Sequence, residues 1–173
     1  STDGGLASGA RGTVVRITKR DLASGAEVEL AYRTEPLGRG GDRGDMGVAD
    51  VAATSDDDLL VLERGYQKGY GNTIRVFRTH LRDATPVAAG ASIDDRVRVL
   101  PKHLVVDVGS LACRGCAHPG TQPNPILENY EGLALGPEVE DGRRLLFLVS
   151  DDNESATQVP RLLVLAVPLE ALR

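Results

Sequence analysis

The sequence predicts an all-β protein assembled from repeated antiparallel sheets. Three observations carry that expectation. Short apolar runs recur between turns, with twenty Gly and nine Pro falling mostly between them, which favours many short strands over long helices. Aromatic residues make up only 3% of the chain and Trp is absent, so the core rests on Leu, Val, Ile and Ala. One strand–turn–strand unit also occurs twice. Gly47 to Thr54 is a run of small residues leading to Leu59-Leu60-Val61-Leu62-Glu63-Arg64, and Asn129 to Gly136 leads in the same way to Arg144 to Asn153. In both copies charged residues stand just after the apolar run, at once in the first and past Ser150 in the second.

In chain order, residues 1–11 are Gly/Ser/Ala-rich and are expected to fray. Thr13 to Thr18 alternates as a strand, Asp21 to Gly25 is a turn, and Glu27 to Tyr32 reads as the returning strand of a hairpin. Pro36 to Gly44 reads as a linker, with its Gly-interrupted basic patch Arg39 to Arg43. Val48 to Ala53, a turn at Ser55 to Asp58, and Leu59 to Leu62 form the first full unit, the last run apolar on both faces. Gly65 to Gly71 reads as a loop and Thr73 to Arg78 alternates cleanly. A fourth strand is expected at Val97 to Leu100 or at His103 to Val108, divided by Pro101. Gly109 to Glu128 is an irregular excursion. The second unit follows, with strands at Glu131 to Leu135, Leu145 to Val149 and Arg161 to Val167. Pro168 to Arg173 reads as a short helical turn or a strand stub, so residues 169–173 form a tail.

Charge and hydropathy narrow the function. The chain of 173 residues carries a net charge of −5 and has no basic stripe to neutralise phosphates, which argues against nucleic-acid binding. No apolar run approaches the ~20 residues of a bilayer span. The N-terminus has neither Met nor a signal-like segment, which is expected of a processed product or a fragment.

Leu59 and Leu146 are 87 positions apart. Propeller blades run ~40–45 residues, so one decorated blade separates the two points. The early hairpin would be the last two strands of a preceding blade. The expected fold is a β-propeller segment of about two to three four-stranded antiparallel blades. Propellers close with about four or more, so the ring is incomplete unless missing residues or another chain complete it.

Leu59 to Tyr66, Gly71 to Val76, Asn129 to Ala134 and Leu146 to Asn153 together resemble the phytase-like domain family, whose members carry the description "esterase-like activity of phytase". The resemblance spans roughly residues 12–168 and corresponds to the family's C-terminal portion. It implies a β-propeller, an extracytoplasmic location and hydrolysis of a phosphoester or related ester by acidic residues. Carried over by position, Glu63 and Arg64 fill an "ER" motif, Glu131 an "EGLA" motif, and Asp151, Asp152 and Asn153 an "SDDN" motif. The chain departs from the pattern at Glu154 and Pro160.

The residues suit that chemistry. Hard cations take several oxygen ligands, so Glu63, Glu131, Asp151 and Asp152 are candidates for a metal, with Ca²⁺ the expected ion. Glu131 and one of Asp151 or Asp152 would also serve catalysis as bases, and Arg64 would clamp a phosphate or carboxylate. Each has a structural alternative: a carboxylate holding backbone N–H groups for Glu131, an Asx-rich turn for Asp151 to Asn153, and an inter-blade ion pair for Arg64. Asp56-Asp57-Asp58 reads as a solvated turn. Cys113 and Cys116 are expected to form a local disulfide in an oxidising compartment. A redox pair, a zinc site using His118, or free thiols are the alternatives. The rival to an esterase is a non-catalytic propeller module binding a protein or glycan, or serving in an extracellular assembly.

Overall fold

A computed structural model describes residues 12–37, 44–88, 90–93 and 97–172. Among the described residues nine strands form three open antiparallel sheets. The first sheet pairs β1 (Val14–Arg20) with β2 (Glu27–Arg33). The second has the order β3 (Gly44–Ala53), β4 (Asp58–Gln67), β5 (Gly71–His80), β6 (Lys102–Asp107). The third has β7 (Tyr130–Val139), β8 (Arg143–Ser150) and β9 (Leu162–Pro168). The fold is all-β, its open antiparallel sheets of two to four strands resembling propeller blades, and among the described residues no ring closes. The sheets hold two, four and three strands rather than four each. The expected N-terminal tail, the basic patch Arg39 to Arg43 and most of the Pro36 to Gly44 linker lie outside the described residues. Among the described residues no helix is long and apolar enough to cross a membrane.

Alternation along each strand builds the core. On β4, Leu60 and Leu62 face the third sheet and join Ile74, Val76, Tyr130, Leu133, Leu146 and Leu148 in the larger apolar cluster. Leu59 and Val61 face the other way and join Leu30, Tyr32 and Leu100 in the smaller one. The second sheet is therefore covered on both faces, as its continuous apolar run implies.

Several expectations shift. The first hairpin forms its own two-stranded sheet packed on the second. β1 lies against β3, forming a shared cleft with Gly47 and Val48, and β2 lies against β4, where Tyr32 reaches Glu63. β4 runs on through Gly65 and Tyr66 to Gln67, because those residues pair with Gly71 to Thr73; only the tip remains a turn. Of the two fourth-strand candidates, the one after Pro101 becomes β6. Leu100, before it, bonds instead to β2 through Ala31 O at 2.8 Å. β7 extends past Leu135 to Val139 through an irregularity between Leu135 and Glu138. The chain's end is a 3-10 turn, Leu169–Leu172, with Leu172 buried.

Candidate functional site

β3 and β7, the first strands of the second and third sheets, carry a β-bulge at the same place in the repeat. In β3 the pairing skips from Val48↔Glu63 to Asp50↔Leu62, and in β7 it skips from Tyr130↔Ser150 to Gly132↔Val149. Ala49 and Glu131 are the extra residues. A bulge bends its strand and re-aims the side chain it carries. It brings Glu131, 41% exposed, toward the second sheet, where Arg64 Nη2 lies 3.7 Å from its Oε1. The same oxygen accepts a bond from Asn129 Nδ2 at 3.0 Å, and that amide also lies 3.3 Å from the Asp151 carbonyl oxygen. The Asp151 N–H closes the loop by donating to Asn129 O at 3.1 Å. Arg64, Glu131, Asn129 and the start of the acidic loop therefore meet where two sheets abut. Arg64 also lines a small cleft of about 210 Å³ with Thr13, Met46 and Val48.

Asp50, one position beyond its bulge, fastens the two sheets. Its Oδ2 accepts the Leu133 N–H at 2.7 Å, tying β3 to β7 just behind Glu131.

The other nominated residues are placed differently. Glu63 lies on the opposite face of β4 from Arg64 and is fully buried. It accepts bonds from Tyr32 Oη at 2.6 Å, Glu35 N at 2.8 Å and Lys102 Nζ at 2.6 Å. Lys102 also sits 4.3 Å from the centre of the Phe77 ring, a cation–π contact. Burial, then the charge of Glu63, holds the Tyr32 hydroxyl far above its ordinary pKa. Asp151 Oδ1 accepts the Asn153 N–H at 3.2 Å and Asp152 Oδ1 accepts the Glu154 N–H at 3.0 Å. Asn153 and Glu154 both take positive φ, 47° and 55°, the backbone of a tight polar turn. Among the described residues no three His, Cys, Asp or Glu side chains are grouped to hold a metal ion.

The Asp56 to Asp58 turn is paired rather than merely solvated. Asp57 meets Lys19 Nζ at 2.8 Å and Arg82 Nη2 at 2.6 Å, and Asp58 meets His80 Nδ1 at 2.9 Å. Both carboxyls are held below the usual carboxylate range, Asp57 chiefly by Lys19 and Asp58 chiefly by His80. Cys113 and Cys116 lie at disulfide distance, with Cα atoms 5.7 Å apart, within the usual span of a disulfide.

Sequence reading missed a buried pair in the excursion. Glu128 is fully buried and bonds His118 Nε2. Its Oε2 accepts the Asn129 N–H at 3.0 Å and its Oε1 the Val159 N–H at 3.2 Å. His118 Nδ1 is engaged with the Gly120 backbone, 2.9 Å from its nitrogen. The available signal was a lone His in a Pro/Gly segment and an acid directly ahead of the Asn129 motif.

The chain matches the phytase-like family, described as "Esterase-like activity of phytase", over residues 1–154. That span contains all four stretches on which the resemblance rests. No curated protein and no solved structure matches the chain.

Proposed function

This chain belongs to the phytase-like family, and from that premise we propose that it contributes to hydrolysis of a phosphoester or related ester, with Arg64 and Glu131 as the working pair. One observation carries the reading: a guanidinium and a carboxylate from different sheets stand 3.7 Å apart, both partly exposed. In this reading Arg64 binds the anionic oxygens and offsets charge that develops on them in the transition state. Glu131, held by Asn129, takes a proton from the attacking water as the water oxygen bonds to the phosphorus or acyl carbon. The ester bond to the leaving alkoxide then breaks, and the alkoxide is protonated from solvent.

The four carboxylates nominated for calcium do not fit one coordination sphere. Glu63 is buried on the far face of β4 with its bonds already made, Glu131 is paired with Arg64, and Asp151 and Asp152 each cap the turn that follows them. No step of the proposal passes through a metal. An extracytoplasmic location is part of the same proposal and is supported by the family and by the Cys113–Cys116 pair.

A second reading is a non-catalytic interaction module. Its support is the outward face of the third sheet, where Val149, Leu162 and Val164 are 51%, 63% and 47% exposed. Turnover of bis(p-nitrophenyl) phosphate with and without Ca²⁺ separates the two. The esterase reading expects turnover that falls ~100-fold or more in Glu131→Gln and Arg64→Ala. Absent turnover in the wild type favours the module.

A further inference from the structure

We infer that a second cleft, separate from the Arg64–Glu131 pair, binds an uncharged polyhydroxylated ligand of the neutral oligosaccharide class. It lies between the β4–β5 turn, the loop at His118 to Gln122 and the loop at Ser155 to Gln158, and encloses about 640 Å³. Asp, Glu, Lys and Arg make up 26% of the sequence, yet none of them lines this cleft. Its one titratable imidazole, His118, has both ring nitrogens bonded, to Gly120 and to Glu128. An anion would find no cation in the walls and a cation no carboxylate, so the cleft selects against charge.

What the walls do offer is amides, hydroxyls and one aromatic ring. Tyr66 lines the cleft and is 45% exposed. A sugar packs its C–H face on such a ring and needs donors and acceptors around it. Gln122 and Gln158 supply them. The Gln122 Oε1 is held by Asn72 N at 2.7 Å and the Gln158 Oε1 by Asn153 Nδ2 at 3.1 Å, which fixes each amide and leaves its NH₂ as a donor. Ser155 and Thr157 add hydroxyls 3.0 Å apart.

The cleft is also preformed. Gly71 has φ +111°, and a Cβ there would lie 2.7 Å from Thr121 O. A Cβ on Gly120 would lie 2.8 Å from Thr157 O. Glycine at both positions lets the three loops touch. Beneath them Glu128 binds His118 on one wall and Val159 N on the other. Arg161 donates from Nη1 to Pro125 O at 2.8 Å, tying the end of the third loop to the excursion. Walls fixed in this way lower the ordering cost of binding.

The test is an amide ¹H–¹⁵N titration of the purified chain with maltotriose, cellotriose and N,N′-diacetylchitobiose, and with inorganic phosphate as the charged comparator. The expected result is saturable shifts for at least one saccharide, confined to residues near 69–72, 118–122 and 155–158. Phosphate leaves those amides unmoved. Tyr66→Ala weakens the saccharide about tenfold or more, roughly the loss of one ring contact, and Gln158→Ala weakens it too; both variants keep the wild-type spectrum elsewhere. The inference is overturned if no saccharide shifts these amides at about 50 mM, a limit set by millimolar affinity. It is equally overturned if phosphate binds there, or if both variants bind as the wild type does. The readout does not involve ester turnover, so its failure leaves the esterase proposal standing.

Discussion

Glu63 and Arg64 are sequence neighbours on opposite faces of one strand, and that separation decides their roles. Glu63 is enclosed with Lys102, Tyr32 and the Glu35 N–H, whereas Arg64 reaches the partly exposed Glu131. Removing one partner of a buried ion pair leaves an uncompensated charge. Lys102→Met is therefore expected to cost about 3–5 kcal/mol of stability, measured by urea unfolding, while Arg64→Ala costs about 1 kcal/mol or less. The Tyr32 hydroxyl adds a pH signature. Its folded pKa is raised, by burial first, so its contribution is complete below the unfolded value near 10 and is lost as pH rises beyond it. Tyr32 is expected to ionise only as the protein unfolds. Absorbance titration of the wild type against Tyr32→Phe checks this: burial also raises the Tyr130 hydroxyl, so the late ionising amplitude should shrink without vanishing, and an unchanged late amplitude contradicts it. Strand alternation made the Glu63–Arg64 divergence readable in the sequence. The partners were not, because Lys102 opens β6 after the long connection from His80 at the end of β5, and its approach to Glu63 depends on the packing of the first sheet on the second.

At the scale of elements, the strands and their order were legible because apolar runs punctuated by Gly, Pro and Asp survive any tertiary arrangement. Strand ends were less so. Gly65, Tyr66 and Gln67 look like a loop in isolation, yet cross-strand pairing with Gly71 to Thr73 carries them into β4. The bulges were invisible too, since nothing in Ala49 or Glu131 marks an extra residue; only the register with β4 and β8 does. The site depends on them. Asp50 follows the first bulge and accepts the Leu133 N–H from the next sheet. Asp50→Ala is expected to destabilise the protein by about 1–3 kcal/mol, the usual worth of a hydrogen bond to a charged group. Hydrogen exchange at Leu133 should accelerate in that variant. Unchanged protection would mean that β3 and β7 are held together by their apolar contacts alone.

Across the whole molecule, each sheet-to-sheet junction buries aliphatic side chains, and the third sheet leaves one such face open. By register Phe147 and Val149 occupy the places in β8 that Leu60 and Leu62 occupy in β4, where they are fully buried. Exposed apolar side chains grouped on one face mark a surface that can associate. Pairing Val149→Lys with Leu162→Lys should reduce dye binding and self-association while moving stability by no more than about 0.5 kcal/mol, the range for surface changes. A loss of about 2 kcal/mol or more would show that the face is covered within the chain. Acid acts on the molecule elsewhere. Asp57 and Asp58 have depressed folded pKa values, so the stability they add is present above the ordinary carboxylate value of 3.8 and is lost as pH falls through their lower folded values. Unfolding midpoints should therefore drop below about pH 4, less steeply in Asp57→Asn.

The most direct test of the central claim is a double-mutant cycle on phosphodiester turnover with Arg64→Ala and Glu131→Gln. If the two side chains act as one unit across the sheet junction, each single variant loses about 100-fold or more and the double variant is little worse than either. Turnover that is absent in the wild type, or is retained in both single variants, would contradict it.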